Sequence, residues 1–118
     1  MAFRIDISPL AESDIEEAWN WIRGRSEVAA AKWLADFELS LQSLRQMPNR
    51  CPIASETHSF LIEIRNLLFG HESLQHRIIY GVSVDEKSDK DVVTIYRVRN
   101  SRQRPLTGRE IFGDYDDE

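Results

Sequence analysis

Arginine is the residue type whose distribution in this chain points to chemistry. Five arginines and no acidic residue lie between Arg97 and Arg109, although the 118-residue chain carries 20 acidic and 15 basic side chains and a net charge of −5. A guanidinium group is always charged and presents a planar fork of N–H donors, which suits both phosphate and carboxylate groups. The uneven charge predicts a local basic surface that recognises an anionic partner.

A predicted β-hairpin brings these arginines to one side of a sheet. Apolar runs at residues 77–84 and 92–98 flank a polar segment, which is typical of two strands and a solvated loop. Side chains alternate between the two faces of a strand. If the side chains of Tyr80, Val82, Tyr96 and Val98 face the core, those of Arg77, Arg97 and Arg99 lie on the other face.

The candidate binding surface extends beyond the hairpin. Arg102 and Arg104 follow its second strand, and Arg65 lies in an earlier predicted strand, residues 61–69. The candidate residues are Arg65, Arg77, Arg97, Arg99, Arg102 and Arg104. A structural alternative stays open, in which they pair with acids of the first helix or the hairpin loop and contribute only about 0–1 kcal/mol each.

The remaining elements form a layer for this sheet to pack against. Residues 3–7 alternate as a half-buried strand, and Ser8 followed by Pro9 predicts the start of a helix that ends at Gly24. Ser26 predicts the start of a longer helix that ends at Met47 and Pro48. Both helices carry an apolar stripe, with Trp19, Trp33 and Phe37 as core residues, and the short link between them predicts a helical hairpin.

The order strand, helix, helix, strand, strand, strand predicts an α+β fold. The helical hairpin covers one face of a small antiparallel sheet, and the last three strands form a meander. The first strand joins the same sheet, with a neighbour that the sequence does not specify. We expect one domain over residues 1–112 and a mobile acidic tail over residues 113–118, GDYDDE.

Several classes of function lack a sequence signal. His58, His71 and His76 are not at metal-ligand spacing, and there is no glycine-rich phosphate loop or GxSxG motif, so we predict no metal and no cofactor. The lone Cys51 cannot form an internal disulfide. No apolar run is long enough to span a bilayer, and no secretory signal is evident, so we expect a cytoplasmic protein.

Four segments carry a resemblance to a known family. The segments SPLAESDIEEAWNWI, AAAKWLADFELSLQSLRQMP, RIIY and VVTIYRVRNSR occur in that order within residues 3–104. Together they resemble the ParE/RelE superfamily of bacterial toxins, which belong to type II toxin–antitoxin systems and include plasmid stabilisation proteins. The resemblance implies the same sheet and helical hairpin, and a cognate antitoxin that binds the toxin and holds it inactive.

The superfamily has two branches with different chemistry. ParE-like toxins bind DNA gyrase and are not enzymes, whereas RelE-like toxins are metal-independent endoribonucleases that use arginines, lysines and a tyrosine to cleave mRNA on the ribosome. Arg77 matches the RelE-type arginine of the RIIY strand, and Arg102 falls near the RelE-type arginine that follows the last strand. However, residues 48–76 contain no lysine, the only tail tyrosine is Tyr115 in an acidic segment, and the net charge of −5 disfavours RNA.

The sequence therefore favours a ParE-like gyrase inhibitor over an enzyme. A RelE-like endoribonuclease that acts on ribosome-bound mRNA is the first alternative. The second alternative is a diverged, non-toxic homologue that binds a partner and whose acidic tail masks the basic face.

Overall fold

The chain folds in the predicted order of helices and strands. A computed structural model describes residues 3–50, 64–85, 90–104, 106–107 and 110–111. His58, Cys51, Tyr115, the start of the predicted strand at 61–63 and the tail at 113–118 lie outside these residues. The main elements are β1 (Arg4–Ile7), α1 (Pro9–Arg23), α2 (Glu27–Gln46), β2 (Arg65–Phe69), β3 (His76–Asp85) and β4 (Lys90–Asn100). Single 3-10 turns occupy Pro48–Arg50 and Glu72–Leu74.

Serine side chains fix the starts of both helices. The Ser8 hydroxyl oxygen accepts a hydrogen bond from the Ala11 N–H at 3.1 Å, and Pro9 occupies the first helical position. The Ser26 hydroxyl oxygen likewise accepts from the Ala29 N–H at 3.1 Å. Each bond satisfies one of the N–H groups that lack a partner within the helix. The predicted starts of both helices are confirmed.

The sheet is mixed, with strand order β1-β4-β3-β2. The antiparallel β2–β3–β4 meander is confirmed, and β1 runs parallel to β4, from Arg4 opposite Val92 to Ile7 opposite Ile95. The α+β class and the order of elements are confirmed, but the sheet is not wholly antiparallel as expected. Its alternating residues indicate that β1 is half-buried, and they contain no signal for the direction or identity of its neighbour.

The main core lies between the helical hairpin and one face of the sheet. The Trp33 ring is stacked on Phe37 with a centroid distance of 6.2 Å and contacts Phe69 at 5.3 Å. Leu44, Ile78, Tyr80, Val93 and Ile95 complete the buried centre, and Trp19 packs against it. The predicted core roles of Trp19, Trp33 and Phe37 are confirmed. None of the described helices is both long enough and apolar enough to cross a membrane.

A β-bulge at Tyr96 interrupts the alternation of β4. Ile79 lies opposite Arg97 and Tyr80 lies opposite Ile95, so Tyr96 has no counterpart on β3. Tyr80, Val82 and Val98 belong to the main core as predicted. The prediction for Tyr96 is wrong: its side chain alternates with that of the core residue Ile95, and the extra residue then returns Val98, but not Tyr96, to the core face.

A second apolar cluster covers part of that opposite face. Ile64, Ile79, Leu106 and Ile111 are at most 4% exposed and pack together, with Tyr96 against them. Ile79 lies between Ile78 and Tyr80, whose side chains enter the main core, and alternation therefore directs Ile79 to the other side. This face, which the sequence assigned to arginines alone, thus has a small core of its own.

Candidate functional site

Arg77 and Arg99 lie directly opposite each other on β3 and β4. Residues that are opposite in an antiparallel pair share one face of the sheet, so the predicted shared side of these two arginines is confirmed. Arg77 is only 7% exposed, and its Nη1 donates to the Asn66 side-chain oxygen at 3.3 Å. Like charges in this arrangement repel each other, and the surroundings must compensate for that repulsion.

Arg97 is joined to α1 by a bidentate ion pair with Asp14. Its Nε donates to Asp14 Oδ2 at 2.6 Å and its Nη2 to Asp14 Oδ1 at 2.8 Å, while Nη1 donates to the Glu110 carbonyl oxygen. The hydrogen bond with Asp14 is the largest of the effects that raise the pKa of Arg97. Arg97 therefore pairs with an acid of the first helix, as the structural alternative had it.

Arg104 forms an ion pair with Glu110 in the segment that follows β4. Its Nη2 and Nη1 donate to Oε2 and Oε1 of Glu110 at 2.7 and 2.9 Å. The Thr107 N–H donates to Glu110 Oε1 at 2.9 Å, and the Glu110 N–H donates to the Thr107 hydroxyl, as in a capping box. These bonds, with that of Arg104 first, lower the pKa of Glu110 to about 2.

Arg99 lies among these groups without a carboxylate of its own in the described chain. Its side chain is partly exposed, but its Nε is buried and has no hydrogen-bond acceptor among the described residues. Burial lowers the pKa of Arg99 most, the positive charges of Arg104, Arg97 and Arg77 lower it further, and Glu110 opposes them. We call Arg77, Arg97, Arg99 and Arg104, with Glu110, the arginine cluster.

Two of the candidate arginines lie apart from this group. Arg65 is opposite Tyr80, whose side chain enters the main core, so Arg65 is on the helix-covered face of the sheet. Arg102 lies in the exposed turn after β4, where its backbone N–H donates to the Asn100 side-chain oxygen at 3.0 Å. The structure brings together four of the six candidates.

An open cleft of about 450 Å³ separates α1 from the end of β4. It forms because β1 pairs with β4 only as far as Ile95, which leaves the following part of that edge without a strand neighbour in the described chain. The Ser8 hydroxyl donates to the Tyr96 carbonyl oxygen at 2.9 Å, and Asp14 Oδ2 accepts from the Val98 N–H at 3.0 Å. The residues that line the cleft include Asp14, Glu17, Ala18, Trp21, Ile22, His76, Arg97 and Arg99.

His76 reaches the floor of this cleft from the core. It is 8% exposed, and its Nδ1 lies 2.8 Å from the Leu74 carbonyl oxygen and 3.2 Å from Trp33 Nε1. The Leu74 carbonyl oxygen accepts only from an Nδ1–H, whereas the Trp33 Nε1–H donates only to an unprotonated Nδ1, so the two contacts belong to different tautomers of the ring. Burial lowers the pKa of His76, so the ring is neutral near pH 7. The ring lies on the core side of the sheet.

Sequence reasoning missed the acids that organise the arginine cluster. Asp14 reads as one of several acids on the solvated face of α1, and no local pattern connects it with a residue 83 positions away. Glu110 has a readable signal, because Thr107 and Glu110 have the spacing of a capping box. Within the described residues, no group of three or more histidine, cysteine or acidic side chains is placed to hold a metal ion.

Comparison with known proteins identifies the family. Residues 5–105 match the family described as the ParE toxin of type II toxin-antitoxin system, parDE. A search of curated proteins finds no match to this chain. The family match covers β1 to β4, the helical hairpin and the arginine cluster as far as Arg104. The chain therefore belongs to the ParE toxin family of type II toxin–antitoxin systems.

Proposed function

We propose that this chain is a toxin that binds DNA gyrase in the cytoplasm and blocks supercoiling without catalysing a reaction, and that a cognate antitoxin neutralises it. The observation that carries the proposal is the match to ParE toxins over residues 5–105. The arginine cluster is the surface that we assign to contact with the target. A protein target is consistent with a net charge of −5, which opposes binding to polyanionic RNA.

The surroundings of the basic residues support a binding role over catalysis. A metal-independent endoribonuclease needs groups that take a proton from a 2′-hydroxyl and donate one to the leaving oxygen. His76 is buried with its Nδ1 against the Leu74 carbonyl and the Trp33 indole N–H, and the guanidinium of Arg97 is engaged by Asp14 and by the Glu110 carbonyl. Neither side chain is arranged to exchange a proton with a substrate at the surface.

The helices offer apolar anchors for an antitoxin. Trp21 is 57% exposed, and the Arg25 guanidinium lies 4.4 Å above its ring. Leu39 and Val28 on α2 are also exposed. We infer that an acidic, amphipathic antitoxin segment lies along the helical hairpin or reaches the arginine cluster. Apolar contacts supply most of the affinity in such an interface, and charges mainly steer association.

The proposal is tested with purified protein in two parallel assays. We expect the chain to inhibit negative supercoiling by gyrase and to leave ribosome-bound mRNA intact. In cells, controlled expression should cause filamentation and DNA-damage signalling before protein synthesis falls. The Arg45→Gln variant, which alters an exposed side chain in the last turn of α2, is the matched control and should remain as inhibitory as the parent chain. Unchanged supercoiling together with mRNA cleavage would reject the proposal.

One observation favours the endoribonuclease as the second candidate. Arg77 and Arg99 lie side by side, and the pKa of Arg99 is lowered in part by Arg104, which shows that several guanidinium groups converge. Such a group is also suited to the charge on a phosphate in the transition state. The assay for cleavage of ribosome-bound mRNA distinguishes this candidate directly from a gyrase inhibitor. A chain that is inactive in both assays but binds an antitoxin would instead be a diverged, non-toxic homologue.

A further inference from the structure

Arg99 differs from its neighbours in the arginine cluster. Arg97 binds Asp14, Arg104 binds Glu110, and Arg77 donates to Asn66. No carboxylate lies within ion-pairing distance of Arg99 among the described residues, and its buried Nε has no acceptor there. A charged donor that is shielded from water and lacks an acceptor is costly to fold, as are nearby like charges. Folding alone does not explain why an arginine occupies this position.

We propose that Arg99, flanked by Arg77 and Arg104, is the centre of a binding site for a side-chain carboxylate from an acidic segment of a protein partner. The site deepens the proposed function, on which it rests, by naming the chemistry that the partner presents. The Arg99 side chain is partly exposed although its Nε is buried, so an incoming carboxylate pairs with the outer part of the guanidinium group and offsets the neighbouring positive charges. Two oxygens against a planar fork of N–H donors give both charge and directional complementarity.

The surroundings favour a protein carboxylate over a nucleic-acid phosphate. The Glu110 carboxylate already binds Arg104 through two hydrogen bonds, so this surface accommodates that group in that geometry. Asp14 and Glu17 line the adjacent cleft and repel a continuous phosphate backbone. A single acid within an otherwise apolar segment avoids this repulsion, because Ala18, Trp21 and Ile22 offer apolar surface in the same cleft.

The site is tested on the isolated full chain with a defined probe. The probe is a blocked six-residue peptide with one glutamate among apolar residues, called the six-residue glutamate peptide, at about 50 mM salt, where exposed charges are weakly screened. We expect the peptide to shift the Arg99 Nε–Hε resonance in a ¹H–¹⁵N spectrum. Replacing Arg99 with Gln should weaken binding about fivefold or more, because it removes a charge-assisted donor fork. The matched Arg45→Gln variant loses the same charge and should bind within about twofold of the parent chain.

Three outcomes would overturn the site. An unmoved Arg99 resonance, or equal weakening by Arg99→Gln and Arg45→Gln, would mean that the peptide senses only the overall charge. Tighter binding of a six-nucleotide single-stranded RNA than of the peptide, with a shift at Arg99, would reassign the site to phosphate. A lower unfolding midpoint for Arg99→Gln would make Arg99 a structural residue, whereas we expect an equal or higher midpoint because like-charge repulsion is relieved.

This experiment fails or succeeds separately from the gyrase proposal. The peptide titration contains no gyrase, so an absence of supercoiling inhibition leaves the binding result unchanged. Conversely, inhibition of gyrase by the parent chain stands even if the peptide does not bind at Arg99.

Discussion

At the scale of single residues, the arginines of this chain have three different roles. Arg97 is held by Asp14 and joins α1 to β4, and Arg104 organises the segment after β4 through Glu110. Arg99 has neither kind of partner in the described chain. The same residue type therefore serves as a structural tie at two positions, and at the third we propose that it serves recognition. Charge alone does not distinguish these roles, because each depends on where an acid lies in the fold.

Asp14 should be the acid whose loss costs the most stability. Its side chain is 12% exposed and accepts from Arg97 twice and from the Val98 N–H once. We expect Asp14→Ala to lower the free energy of unfolding by about 2–3 kcal/mol, because a partly buried guanidinium and a backbone donor lose their acceptor. Urea denaturation measures this change.

Asp36 provides the matched control for Asp14. Its carboxylate pairs with Lys32 on the surface of α2 at 3.5 Å. We expect Asp36→Ala to change the free energy of unfolding by less than about 0.5 kcal/mol, as for other exposed helix pairs. Equal effects of the two substitutions would show that the Arg97–Asp14 contact is not a structural tie.

His76 should make the fold less stable in acid. Burial lowers its pKa below the usual value of 6.5, so the unfolded chain takes up this proton before the folded chain does. The stability associated with the neutral ring is therefore present above pH 6.5 and is lost as the pH falls from there toward the lower pKa of the folded state. We expect the free energy of unfolding to fall less between about pH 7.5 and 5 in His76→Gln than in the parent chain.

Chemical denaturation across that pH range measures the difference. His71→Gln is the control, because His71 is exposed in the turn after β2. Its pH profile should follow that of the parent chain. The account of His76 is wrong if both variants show the parent's slope.

At the scale of elements, small local features decide how strands and helices meet. Ser8 caps α1 and also donates to the Tyr96 carbonyl oxygen, so one hydroxyl starts a helix and fixes it against β4. Tyr96 follows the core residue Ile95 and faces the second apolar cluster, and the bulge there lets Val98 return to the main core. Without the bulge, the residues of β4 after Tyr96 would exchange faces.

Gly70 permits the turn that leads from β2 to β3. Its φ is +84°, and a Cβ atom there would lie 2.6 Å from the Leu74 carbonyl oxygen. We expect Gly70→Ala to lower the free energy of unfolding by about 2 kcal/mol, from the left-handed backbone and the contact with a carbonyl group. Thermal or urea unfolding provides the measurement.

Gly24, unlike Gly70, should tolerate substitution by alanine. It has a right-handed helical φ of −62°, and the nearest atom to an added Cβ is 3.5 Å away. We expect Gly24→Ala to leave stability unchanged or raise it by up to about 0.5 kcal/mol, since alanine restricts the unfolded chain. A comparable loss at both glycines would mean that the turn after β2 does not depend on its backbone conformation.

At the scale of the whole molecule, the distribution of charge matters more than its sum. The net charge is −5, and residues 113–118 contribute four acids and no base. These residues follow in sequence directly after the segment that carries Glu110 of the arginine cluster. Exposed charges act over about 8–10 Å at physiological salt, and we therefore expect these acids to reduce the attraction of the arginine cluster for an acidic partner.

Removing the acidic tail should accelerate association with an acidic partner. Deletion of residues 113–118 changes the net charge from −5 to −1. We expect the association rate for the six-residue glutamate peptide to rise severalfold at about 50 mM salt and the gain to disappear near 0.5 M salt, because steering is screened. A full-length variant with the four acids changed to their amides controls for chain length. Unchanged rates at low salt would remove any role for the tail charge.

Much of the fold was predictable because its signals are local. The serine caps, the apolar stripes of the two helices and the alternation along the hairpin each depend on residues a few positions apart. They predicted the order of elements, the core positions of Trp33 and Phe37, and the shared face of Arg77 and Arg99, all of which the structure confirms. The antitoxin, the cellular target and the role of each candidate arginine stay predictions.

Only the tertiary structure decided which arginines have partners. The parallel pairing of β1 with β4, the bulge at Tyr96, the second apolar cluster and the Asp14–Arg97 ion pair all join residues that are distant along the chain. Alternation within one strand does not reveal a bulge, and an acid on an exposed helical stripe does not reveal the strand beside it. Sequence determined where the positive charge is concentrated, and long-range packing determined which of the described arginines form ion pairs, because each ion pair depends on distances that the fold sets.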